Sequence, residues 1–190
     1  MRPRTLGEKG QAAPIYVTVV AGLLFLALAF FVVGQAGALR NGTQTGADAA
    51  ALAAAKDSRD AFEPVLLANL DPAFLSDVFN LGVVGSRDGC SAARSMAQQN
   101  RAELEGCTPP SGDRWIFKVQ VRSQDPVGVT VLPGTEAKRA VGKSAAEVQS
   151  RCRYEPAPNP RLRCDRIVWE VGDGELPDMS ELFKVRLAEN

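Results

Sequence analysis

The chain contains no histidine, and aromatic residues make up only 6% of its 190 positions. Without histidine it has no Ser-His-Asp or Cys-His nucleophile pair, no His-ligated metal site and no imidazole proton shuttle. A charge excess is missing too. The 22 Lys and Arg are balanced by 22 Asp and Glu, whereas a nucleic-acid binder usually shows a basic surplus. No acidic or basic tail is present. The length suits one domain of ordinary size, or a smaller domain with an extra segment.

What is present is unevenly distributed. Residues 11–39 include no charge, and within them 15–33 (IYVTVVAGLLFLALAFFVV) is an almost pure apolar run of 19 residues. As a helix this run spans about 28 Å, close to the thickness of a hydrocarbon core. A soluble core helix is seldom apolar all round, so a bilayer is the natural solvent. Arg2, Arg4 and Lys9 precede the run, and only Arg40 lies within 34–53 after it. This asymmetry puts the N-terminus in the cytoplasm and the rest outside. The alternative is a cleaved signal peptide, for which Ala36-Gly37-Ala38 offers an A-x-A site. The run exceeds a usual signal core, which favours a retained anchor.

Cys90, Cys107, Cys152 and Cys164 all follow the apolar run. Four exported cysteines read as two disulfides with three possible connectivities, and none of the spacings is C-x-x-C. Cys152 and Cys164 are symmetric about Pro158, as in a hairpin with a Pro-rich turn. A helix from Cys90 to Gln99 climbs about 14 Å. With Asn100 as its C-cap, residues 102–107 return about 17–20 Å as a strand, which closes the loop. Geometry therefore favours Cys90–Cys107 and Cys152–Cys164.

Between these landmarks the elements are legible in outline. Residues 40–56 (RNGTQTGADAAALAAAK) are Ala-rich and continue the apolar helix outward. Gly42 and Gly46 form a G-x-x-x-G, and with Ala47, Ala50, Ala51, Ala54 and Ala55 they make a small-residue face suited to close helix packing. Asp71-Pro72 reads as an N-cap and first helical residue, with Phe74, Leu75, Val78 and Phe79 on one face. A helix over 90–99 turns Ala92, Ala93, Met96 and Ala97 inward. Residues 115–121 alternate as a strand with Trp115, Phe117, Val119 and Val121 on one side. Strands are also expected over 127–132 and 163–171, the latter alternating through Ile167, Trp169 and Val171. Residues 135–149 are ambiguous, since their Ala, Lys and Glu favour helix yet 140–152 could run as a strand, and the tail from Gly172 begins as a loop.

Motifs that carry chemistry are absent or incomplete. Residues 137–144 (AKRAVGKS) come one residue short of a phosphate-binding G-x-x-x-x-G-K-[ST] loop, with Ala137 in place of the glycine that permits the tight turn. Residues 85–89 (GSRDG) are not a nucleophile elbow. Asp173, Glu175, Asp178 and Glu181 do not follow a calcium-loop pattern. No catalytic, cofactor-binding or metal-ligating residue is assigned, and neither nucleic acid nor a small-molecule substrate is expected.

Gly10-Gln11, the apolar run, Ala36 to Arg40, Gln44 and the tract Ala47-Asp48-Ala49-Ala50-Ala51-Leu52-Ala53-Ala54-Ala55 resemble the TadE/TadG-like proteins of Flp (Tad) pilus assembly. The cysteine-bracketed 90–107 segment is similar to that of their actinobacterial members. The resemblance implies a non-catalytic, single-pass cell-membrane protein, either minor pilin-like or an assembly component. Its implied partners are the bilayer and other pilus-assembly membrane proteins or pilin-like subunits. Prepilins carry a glutamate five residues after the cleaved glycine. Ala12 and Ile15 stand five residues after Gly7 and Gly10, so the uncleaved type is implied. The competing expectation is an exported binding protein with a cleaved signal peptide.

The expected fold is α+β. Residues 1–11 form a cytoplasmic stub, 12–37 a transmembrane helix and 38–56 an Ala-rich helical stalk. Residues 57–190 form a disulfide-braced extracytoplasmic domain with an antiparallel sheet.

Overall fold

A computed structural model of the chain describes residues 12–82, 88–110, 114–126, 134, 137–156, 158–172 and 176–188. α1 (Ala12–Asp60) is one uninterrupted helix of 49 residues, about 74 Å long. Proline occurs in it only at Pro14, in the first turn, where no intrahelical amide is lost. Its threonine hydroxyls are satisfied within the helix: those of Thr18, Thr43 and Thr45 donate to the carbonyls four residues back, at 2.8, 2.7 and 3.0 Å.

The two halves of α1 have different surroundings. Along 15–33 twelve large apolar side chains, from Ile15 to Val33, are 52–75% exposed, and Val20 and Val32 are partly exposed. From Thr43 onward one side of the helix is buried against the rest of the chain. The segment read as a stalk therefore supplies part of the core instead.

Among the described residues seven strands follow: β1 (Ala102–Thr108), β2 (Ile116–Ser123), β3 (Val141–Ser150), β4 (Cys152–Glu155), β5 (Arg161–Cys164), β6 (Val168–Glu170) and β7 (Phe183–Leu187). They form two antiparallel sheets, ordered β1-β2-β3-β7 and β4-β5-β6. The second half of α1 packs on β2, β3 and β7, and α4 (Cys90–Gln99) packs on α1 and β1. Phe117, Val119 and Val121 of β2 point into this layer and are buried, as is the preceding Trp115. Lys118 and Arg122 face solvent on the other side, the period-2 pattern of a half-buried strand.

From Val141 the ambiguous stretch resolves as β3. Pairing on both edges outweighs the helix propensity of its Ala, Lys and Glu residues. The single strand expected over 163–171 is two strands. The amide of Cys164 donates to the carbonyl of Ile167 at 2.9 Å, which turns the chain after β5 and pairs β6 back against it. The bridge from Cys164 to Cys152 holds β5 against β4, and the chain reverses through Asp165 and Arg166. The strand expected over 127–132 lies outside the described residues. β7 and the short α5 (Met179–Leu182) lie in the tail for which only a loop was expected, and the Asp178 carboxylate caps α5 by accepting from the Ser180 amide at 2.7 Å.

α2 (Glu63–Ala68) and α3 (Pro72–Ser76) close the end of the head away from the apolar half of α1. The Asp71 carboxylate accepts from the Phe74 amide at 3.0 Å, an N-cap before Pro72. The helix then widens into a π turn, Asp77–Leu81, and stops at Gly82 with φ 73°. Phe62 lies at the centre of an aromatic cluster, with ring centroids 5.4 Å from Trp115, 6.1 Å from Phe183 and 6.3 Å from Phe74. Edge-to-face geometry predominates there, the arrangement ring quadrupoles favour.

The approach of α1 to the sheet tests this fold. A Cβ added at Gly142 would lie 2.7 Å from the Thr43 carbonyl oxygen, whereas one at Gly42 would meet nothing within 4 Å. Gly142→Ala is expected to cost about 2 kcal/mol. In the full chain in detergent this is a fall of roughly 4–8 °C in Tm. Gly42→Ala should leave Tm unchanged or raise it, because alanine is the better helix former. Circular dichroism melts of the two variants check both.

Candidate functional site

The strongest candidate face on sequence grounds is the small-residue ridge of α1. Ala47, Ala50, Ala51, Ala54 and Ala55 are fully buried, with Thr43 and Ser58 at either end of the same stripe. Their spacing of three and four residues puts them on one side of the helix. The structure fills that side with the chain's own head. Gly46 lies against Asn100 and Ala102, and the place of a Gly89 Cβ is taken by the Ala54 carbonyl. The indole of Trp115 donates to the Ser58 hydroxyl at 3.0 Å, and the Gln44 amide nitrogen donates to the Lys143 carbonyl at 2.8 Å. Gly42 is exposed and takes no part. Gly46, Ala47, Ala50, Ala51 and Ala54, expected to face a partner helix, are buried here against the chain's own head, where methyl-sized side chains permit close intramolecular approach.

Gly89 and Gly142 complete this contact from the other side, and sequence reasoning passed over both. The signal for Gly142 was available, since a glycine inside a strand pattern often marks close backbone approach. Its neighbours had drawn attention for another reason. The incomplete phosphate-loop sequence around Gly142 and Lys143 enters β3 in extended form rather than turning into a helix.

Cys90 is bonded to Cys107 and Cys152 to Cys164. The first bridge ties the start of α4 to the far end of β1. Asn100 ends the helix with its side-chain amide on the Met96 carbonyl at 2.9 Å. Arg101 makes the turn into β1 in the left-handed region, φ 55°. The second bridge joins directly opposed residues of β4 and β5. Each contributes about 2–4 kcal/mol by restricting the unfolded chain.

The polar groups of the head pair with one another. Glu147 is 6% exposed although it lies on the outer face of the sheet. Arg186 and Arg114 cover its carboxylate at 2.6 and 3.6 Å, and Gln149 donates to it at 2.6 Å. Glu155 accepts from Arg161 and Arg163, whose hydrogen bonds hold its carboxyl below the usual carboxylate range. Glu105, at the β1 bulge, is lowered chiefly by the Gln120 amide and then by Arg122. Asp178 is lowered by the Ser180 hydroxyl and amide. An open groove of about 610 Å³ runs across the outer face past Glu105, Lys118, Gln120 and Lys143. Among the described residues no three His, Cys, Asp or Glu are grouped to hold a metal ion. Of the acidic quartet near the C-terminus, Asp173 and Glu175 lie outside the described residues.

Residues 10–57 match the Tad family model, described as Flp pilus-assembly TadE/G-like. The match covers the apolar half of α1 and nearly all of its buried ridge, and leaves the rest of the head uncovered. Neither a curated protein nor a solved structure matches the chain.

The carboxylate pairs set the acid response. A carboxyl lowered in the folded chain stabilises it above the unfolded pKa and loses that effect as pH falls through the folded value. Tm should stay flat from pH 7 to 5 and fall below about pH 4.3. Glu155→Gln should lower Tm at pH 7 and reduce the drop between pH 5 and 3. Equal acid dependence in both proteins would remove Glu155 from the explanation.

Proposed function

We propose that the chain is a non-catalytic, single-pass membrane component of Flp/Tad-type pilus assembly, either minor pilin-like or an assembly protein. The N-terminus lies in the cytoplasm and the disulfide-braced head on the opposite side. The observation that carries the reading is the division of α1. One half is apolar all round and bare, and the other is built into a folded head, within a segment that matches the Tad family.

About twelve large apolar side chains standing free in water would forfeit roughly 1.5–3 kcal/mol each relative to burial. A hydrocarbon core accepts them together with their hydrogen-bonded backbone. Positive charge before the apolar run and its scarcity just after orient the helix. Disulfides belong to the oxidising side of a membrane, which agrees with that orientation.

Because the small-residue ridge is occupied, lateral contact with other pilus components falls to the apolar half of α1, and recognition outside falls to the head. An Ala50→Leu substitution would disturb the head's own core, so any loss of assembly it causes would report folding rather than a helix–helix interface.

The head's contacts with α1 begin at Thr43, beyond the Ala36-Gly37-Ala38 site. Cleavage after Ala38 would therefore release an intact head, which makes processing a decisive test. The native protein is expected to resist alkaline carbonate extraction and to retain residues 15–33 by intact mass and N-terminal sequencing. A soluble chain beginning at Leu39 would overturn the anchor and support an exported binding protein instead. Co-purification with other pilus components is the partner test, and its absence from a membrane-bound chain would sink the assembly role alone.

A further inference from the structure

The chain is neutral overall, yet the end of the head nearest the apolar half of α1 is basic. Three segments meet there, around the contact of Thr43 with Gly142: the turn at Asn100 and Arg101, the end of β2, and the residues leading into β3. Hydrogen bonds hold them together. The Gln124 amide donates to the Arg101 carbonyl at 2.8 Å, and the Ser123 amide to the Ala140 carbonyl at 2.9 Å. Gln44 reaches the Lys143 carbonyl from α1.

Arg40, Arg101, Lys138, Arg139 and Lys143 are all exposed at this end, and none forms an ion pair with a described residue. Among the described residues fewer carboxylates accompany them. Asp48 is bonded to Gln44, Glu103 and Asp125 form no ion pair with a described residue, and Glu105 is already matched by Arg122. Arg101 holds a left-handed conformation that glycine or asparagine would adopt at less cost.

Position along α1 supplies the ligand. The charge-free stretch ends at Leu39, and Thr43 follows about 6 Å further along the helix. With 15–33 in hydrocarbon, these cations lie within about a Debye length, 8–10 Å, of the headgroup layer. The geometry points to a membrane-facing basic collar. Arg101, Lys138, Arg139 and Lys143, with Arg40 on the helix, bind the phosphates of anionic phospholipids and hold the head against the bilayer. Ammonium and guanidinium groups suit that chemistry, and attraction to anionic lipid adds with each Lys or Arg near the surface. The inference rests on the membrane-anchored reading and adds a lipid preference to it.

The test uses the full chain, immobilised in mild detergent and exposed to mixed micelles of phosphatidylglycerol and phosphatidylcholine in equal amounts. Mass spectrometry reads the bound lipid. The anionic lipid should be enriched about tenfold at 0.1 M salt and much less at 0.5 M. The variant Arg101→Asn, Lys138→Gln, Arg139→Gln, Lys143→Gln changes only exposed side chains and should lose the enrichment while keeping its far-UV spectrum and both disulfides. Equal binding of the two lipids by the wild-type chain, or unchanged enrichment in the folded variant, overturns the collar. An acidic protein retained in place of lipid overturns it as well. Alkaline carbonate separates the two claims. A chain that resists extraction but shows no lipid preference sinks only the collar, whereas a chain that is extracted sinks the anchor beneath it.

Discussion

Everything in the head depends on how closely one helix can lie on its sheet. The backbone of α1 approaches β3 and the start of α4 to the point where Gly142 and Gly89 have no space for a Cβ. That approach is possible because the ridge between Thr43 and Ser58 carries no side chain larger than threonine. Alanine suits the task in two ways. It favours the helix and loses almost no side-chain entropy on burial. It also buries little apolar surface, so the larger apolar contribution comes from the end of the helix, where Phe62, Trp115, Phe79 and Phe183 meet. Disulfides at two places on the periphery restrict a chain whose aromatic content is low.

The same helix serves two solvents without a break in its hydrogen bonding. Its first half satisfies the backbone internally and presents an almost wholly apolar surface, which suits a bilayer. The second half keeps a polar side toward water and a methyl-lined side toward protein. A Cβ added at Gly22, Gly34, Gly37 or Gly42 would meet nothing within 4 Å, so no close approach requires glycine at these positions.

Much of this was legible in the sequence. The apolar run, the Asp71 cap, the 90–99 helix and the inward side of β2 each follow from local pattern. The cysteine pairing followed from a length calculation on one helix and one returning strand. What escaped depended on tertiary partners. Residues 141–150 carry no decisive period, because a strand paired on both edges can be rich in helix-forming residues. The reversal after Cys164 runs through Asp165, but one turn-forming residue inside an alternating pattern did not reveal that β6 folds back on β5. The alanine face was visible as a face, but its occupant was not. A methyl ridge is equally suited to another helix and to the chain's own sheet, and only the glycines opposite distinguish them. The candidate site was legible to the same degree: the residues could be named, their surroundings could not.

The unbroken run of α1 also has a mechanical meaning. No hinge, proline or loop separates the apolar half from the part clamped between α4 and the sheet. The two halves turn as one lever. From the middle of the apolar run to Asp60 is about 54 Å of helix, so a tilt of about 10° at one end displaces the other by roughly 9 Å. Any force on the head is thus delivered as a torque within the membrane, and any rearrangement of neighbours there is read out at the tip.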